Sequence, residues 1–99
     1  MNYTGTLIAV ESMEKSKKFY REVLGQNVVA DFGANVTLEG GVVLQTIDTW
    51  QKFIGDHTIT LQNNAGELYF EEDDMDEFLR RLSGCELSYV HPPLEHRWG

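Results

Sequence analysis

Of the side-chain types that do chemistry, this chain of 99 residues has 16 carboxylates, three histidines and one cysteine, and their spacing narrows the set. His57, His91 and His96 show no metal-ligand spacing and read as surface or packing residues. No Ser/His/Asp constellation and no phosphate-cradling glycine loop is recognisable. The single cysteine, Cys85, beside Gly84, reads as structural. Glu71, Glu72, Asp73, Asp74 and Asp76 form an acidic run that could attract a cation. The stronger reading is a helix start, because carboxylates there stabilise the positive end of the helix.

Alternation is more informative than any of these groups. In an extended segment every second residue shares a face, so Gly5, Leu7 and Ala9 form one set, Val43, Gln45 and Ile47 a second, and Glu67, Tyr69 and Glu71 a third. Together they would make an apolar surface with a few polar groups, as a small-molecule pocket requires. Trp50 would lie over its mouth and offer an aromatic face for stacking or for a cation. Gln45, Trp50, Glu67, Tyr69 and Glu71 are therefore the candidate ligand-binding residues. The competing reading is that Trp50 and Tyr69 complete a small core.

The elements that must position these residues can be read in order. Residues 6–10 are a short apolar run of strand length, and Ser12 is placed to cap a following helix. That helix carries Met13, Phe19, Tyr20, Val23 and Leu24 on one side, Lys15, Lys17, Lys18, Arg21 and Glu22 largely on the other, and stops at Gly25. Strands are predicted over 28–32, 36–38 and 42–47, joined by turns short enough for antiparallel hairpins. Residues 48–57 lack a clear period and read as a connector, in which Trp50, Phe53 and Ile54 could make one amphipathic turn.

Residues 58–61 and 67–72 read as extended, either a hairpin or one bulged strand. Asp74 to Glu77 matches a capping box, with Met75, Phe78, Leu79 and Leu82 as a buried stripe and Gly84 as the stop. Leu87, Tyr89 and Val90 suggest another strand, interrupted by Pro92 and Pro93.

Composition limits the function classes. At 41% hydrophobic and 24% charged the chain is an ordinary globular domain. Sixteen acidic against eight basic residues give a net charge of −8, which repels phosphates and argues against nucleic acid as a partner. No run is long and apolar enough for a membrane helix, and the N-terminus lacks the basic and apolar regions of a signal peptide. The lone cysteine agrees with a reducing compartment, so a cytoplasmic location is expected.

Setting Ser12-Met13 against Asp74-Met75 aligns two units of strand, capped helix and strand at an offset of 62. The first unit, from Leu7 through Ser16, Phe19-Tyr20 and Leu24-Gly25, resembles the opening of the vicinal oxygen chelate superfamily of glyoxalases, bleomycin-resistance proteins and extradiol dioxygenases. The segment from Glu67 to Asp76 resembles the start of that superfamily's second module. The resemblance implies an α+β fold in which paired βαβββ modules form a curved sheet around a cleft. Residues 1–47 would be the first module, 48–57 the connector and 58–99 a second module that looks incomplete, within a single domain. It also implies that Phe19 and Leu24 anchor the first helix to the sheet. An uncovered sheet edge invites self-association, so a homodimer or a truncated chain is expected.

Metal-dependent members of the superfamily take one ligand from the first strand of each module, seven residues before the helix cap. Here those positions are Gly5, which has no side chain, and Glu67. The fourth-strand ligand falls near Gln45, and the last carboxylate has no counterpart. Gln45 and Glu67 are too few for a catalytic divalent metal. The resemblance therefore implies a binder of a small organic molecule, with the acidity favouring a cation, and without a metal cofactor. The alternatives are a metal-dependent lyase or dioxygenase, with Glu67 on a divalent metal, and a degenerate member without activity.

Overall fold

The computed structural model describes residues 1–63 and 65–85. Its contacts divide the chain into two compact units, Met1–Tyr69 and Phe70–Gly99. The expected strand around residues 87–90, and with it His91 and His96, lies outside the described residues.

The first unit is a βαβββ arrangement: β1 (Thr6–Val10), α1 (Met13–Glu22), β2 (Val28–Asp31), β3 (Asn35–Leu38) and β4 (Val42–Thr46), followed by α2 (Ile47–Ile54). The strands form one sheet in the order β1-β4-β3-β2, with β1 parallel to β4 and the other two pairs antiparallel. This is the α+β class the resemblance implies. The Ser12 hydroxyl accepts from Lys15 N at 3.3 Å, which starts α1. At the other end Gln26 N donates to Tyr20 O at 2.8 Å, six residues back, and Gly25 lets the chain reverse with a left-handed φ of 66°.

Strand alternation divides the sheet into two faces. Val36, Leu38, Val42 and Leu44 are buried on one of them, where Ile8, Val10, Met13 and Tyr20 pack against the same cluster. Ile8, Leu44 and Val36 are register partners, so the core is a continuous row across three strands. Tyr20 and the buried Val23 anchor α1, whereas Phe19 is 39% exposed and packs edge-on against Tyr20. This corrects the expectation for Phe19. Tyr20, and not Phe19, packs against the core cluster.

Lys17 bridges Glu14 at 3.1 Å and Asp31 at 3.2 Å and so ties α1 to β2. These contacts hold the Asp31 carboxyl below the ordinary range, the Gly33 N–H to Asp31 being the larger cause and Lys17 the next, and they raise the Lys17 ammonium.

Two expected segments take another form. The strand over 42–47 ends one residue early, and the connector becomes a helix, α2, beginning at Ile47. Ile47, Trp50 and Ile54 follow helical spacing, and the Thr46 and Thr49 hydroxyls pair at 2.7 Å across the first turn. Gln51 Nε2 donates to Gly55 O and to His57 O, each at 2.8 Å, which secures the exit.

Residues 58–61 and 67–72 form no strand among the described residues. Leu61 and Gln62 turn, Gln62 with φ 52°, while Asn63 Nδ2 donates to Thr60 O and Asn63 Oδ1 accepts from Ala65 N. These local bonds compete with any ladder.

In the second unit the described residues contain α3 (Met75–Ser83). Asp74 caps it by accepting from Glu77 N at 3.0 Å. The return bond to Asp74 N comes from Glu72 at 3.1 Å, while Glu77 pairs with Arg80. Leu82 is buried and Phe78 and Leu79 are half-buried, but Met75 is 52% exposed and falls outside the expected stripe. Among the described residues no helix is long and apolar enough to cross a membrane.

Candidate functional site

The face of the sheet opposite the core carries Leu7, Val43 and Thr37 in one register row and Ala9, Gln45 and Asn35 in the next. Beside it lies a hollow of about 460 Å³, wholly within the first unit. Leu7, Ile8 and Ala9 of β1 form one wall. Three consecutive residues cannot share a strand face, so the hollow runs along the edge of β1 as well as over its surface. Among the described residues no strand pairs with that edge. Trp50 and Ile54 of α2 form the second wall and residues 58–63 the third.

The first turn of α2 fixes Trp50, and Phe53 lies almost parallel to it, with ring centres 5.7 Å apart and planes 12° apart. Phe53 is 80% exposed, so it holds the outer side of the indole. The Asp48 carboxyl in the same turn is held below its ordinary range, first by the Thr46 hydroxyl and then by backbone N–H groups.

The candidate residues of the sequence are dispersed. Trp50 lines the hollow. Gln45 is half-buried on the adjoining sheet face, its Oε1 accepting from Asn35 Nδ2 at 3.0 Å, and does not line the hollow. Glu67 and Tyr69 are exposed at the end of the first unit, where Glu67 raises the Tyr69 phenol through a hydrogen bond and its charge. Neither is among the lining residues. Glu71 belongs to the second unit and is exposed.

Sequence reasoning missed Ile54 and the wall formed by residues 58–63, including Ile59 and Leu61. The signals were present: Ile54 continues the Ile47 and Trp50 spacing, and Ile59 and Leu61 alternate.

Gly5 has a structural explanation of its own. A Cβ built there would fall inside contact distance of the Gly41 carbonyl oxygen, at the point where the chain enters β4 through Gly40 (φ 85°) and Gly41 (φ 102°). A coordinating side chain at position 5 would need the backbone to move. Among the described residues no three His, Cys, Asp or Glu side chains converge. With Gly5 sterically closed, Gln45 engaged by Asn35, and Glu67 alone, the described residues do not fit the metal site of the metal-dependent members.

Comparison with known proteins completes the picture. A solved structure of a protein of unknown function from Agrobacterium tumefaciens str. C58 superposes with TM-score 0.85 at 26% identity, over 100% of this chain and 79% of that one. A structure from the mobile metagenome of V. Pseudocholerae superposes with TM-score 0.63 at 16% identity, over 97% of this chain and 75% of that one, which shows the shared fold. No curated protein matches the chain. The model of the glyoxalase-like domain matches residues 3–99. On that match and this fold, the chain belongs to the glyoxalase-like domain family of the vicinal oxygen chelate superfamily.

Proposed function

We propose that this protein binds a small organic molecule in the hollow beside β1, without a resident metal ion. The observation that carries this reading is the wall formed by Leu7, Ala9, Trp50 and Ile54: an apolar surface with an indole held in place, next to a polar segment. A volume of about 460 Å³ lies within the usual range for small-molecule sites. The closed space at Gly5 supports the metal-free part.

The test is a thermal-melting screen of neutral and charged small organic compounds. Compounds that stabilise the protein should lose their effect in Trp50→Ala and keep it in Glu67→Ala. Metal analysis of protein purified without chelator supplies the opposite outcome. A stoichiometric divalent metal that disappears in Glu67→Ala would replace this reading with a metal-dependent enzyme.

Self-association is the second part of the proposal. β2 is an edge strand, and Val28, Val29 and the adjacent Phe32 are 41%, 63% and 78% exposed. A second copy of the chain would cover them. Light scattering that shows a monomer at working concentrations would contradict this. A cytoplasmic setting is proposed on the free thiol of Cys85.

A further inference from the structure

We infer that the ligand of the hollow is uncharged and aromatic, and that the acidity of the chain plays no part in holding it. This inference rests on the proposed binding function and names the chemical class that the site would accept. The chain carries 16 acidic and 8 basic residues, yet among the described residues no charged side chain lines the hollow. Leu7, Ala9, Trp50, Ile54 and Ile59 supply apolar surface, and the other side chains of residues 58–63 are hydroxyls, amides and one leucine. The edge of β1, which no strand covers among the described residues, adds backbone N–H and C=O groups, which are also neutral.

An ion entering this space would lose hydration and meet no opposite charge among the described residues, a cost that a neutral molecule with one or two hydrogen-bonding groups avoids. The pattern differs from the acidic cleft expected from Glu67, Tyr69 and Glu71, none of which lines the hollow. The preference for a ring follows from Trp50. Phe53 supports one side of the indole, which keeps its plane fixed for edge or offset contact with a second flat group.

The net charge of −8 would still draw cations to the surface as a whole. That attraction is screened by salt, whereas contact inside the hollow is not, so ionic strength separates the two.

The experiment titrates the full chain with three probes that share a naphthalene ring and carry a neutral, an anionic or a cationic substituent: 2-naphthol, 2-naphthoate and 2-naphthylmethylammonium. It is done near neutral pH, at low and at high salt, and followed by NMR at the Trp50 indole N–H and the Ile59 methyl groups. At high salt 2-naphthol should bind about ten-fold or more tightly than either ion. Equal or tighter binding of the ammonium or the carboxylate at high salt, with shifts at Trp50 and Ile59, would overturn the neutral class and leave the hollow as the binding site. Failure of all three probes to shift those resonances would overturn the inference together with the binding reading beneath it.

Discussion

The two faces of one sheet have opposite characters. On the α1 side, Val36 and Leu44 are fully buried, Leu38 nearly so, and the side chains form an unbroken apolar row from Ile8 to Val36. On the other side the same strands present Leu7 at 37% exposure, Ala9, Val43, and the Gln45–Asn35 pair, with the Trp50 hollow alongside. Adjacent residues on one strand thus serve different ends. One set makes the fold stable, and the other is left accessible to a ligand. The contrast teaches that neighbouring substitutions should separate cleanly into stability effects and binding effects.

The largest expected effect lies on the buried face. Leu44→Ala removes the centre of the apolar row and should lower unfolding stability by about 2–5 kcal/mol in urea titration. Val43→Ala, one residue away on the open face, should cost much less. Equal losses would break the comparison.

Next comes the point where β1 meets β4. Gly5→Ala places a Cβ against the Gly41 carbonyl and should cost about 1–3 kcal/mol, read by the same titration. Gly5→His should show the same loss with no gain in zinc affinity by calorimetry. A zinc-binding, fully stable Gly5→His would mean that the metal position is available after all.

Trp50→Ala sharpens the other side. It should weaken 2-naphthol binding about ten-fold, near 1.4 kcal/mol, while its stability loss stays well below that of Leu44→Ala. Loss of the α1 cap in Ser12→Ala should cost about 1 kcal/mol, with ligand binding unchanged.

The smallest effect is a pH dependence. Because Asp31 titrates below its usual 3.8 in the folded protein, its contribution is present above that value and is lost as pH falls through the lowered one. Lys17, raised above 10.5, contributes below that value and loses its contribution as pH rises through the raised one. Asp31→Asn should flatten the acid side of the stability profile, by a small amount because the Asp31 carboxylate is exposed to solvent.

How much of this was legible in the sequence depends on how local its causes are. The βαβββ order of the first unit follows from Ser12, Gly25 and the apolar runs, because caps, left-handed glycines and strand alternation act over a few residues. The open-face set of Leu7, Ala9, Val43 and Gln45 was also readable, since a period of two leaves no other choice.

Ile47 shows where reading failed. An apolar residue at the end of a strand run serves equally as the first residue of a helix, and the Thr46–Thr49 contact that favours the helix gives little sign in the pattern. Residues 58–61 were read as extended, whereas the chain already turns at Leu61 and Gln62 and Asn63 bonds the backbone on both sides. Gly5 was recognised as lacking a ligand, but its cause, the approach of the Gly41 carbonyl, is a contact between residues far apart in sequence.

The central claim is that Trp50 belongs to a ligand site on the open face, and the Trp50 indole N–H resonance reports on it most directly. It can be assigned by comparison with Trp98→Phe and followed while 2-naphthol is added. We expect a saturable shift at Trp50 and at the Ile59 methyls, with the Leu44 methyls of the buried face unmoved. A titration in which Trp50 stays still, or in which Leu44 moves as far as Trp50, would contradict the division of the sheet into a structural and a binding face.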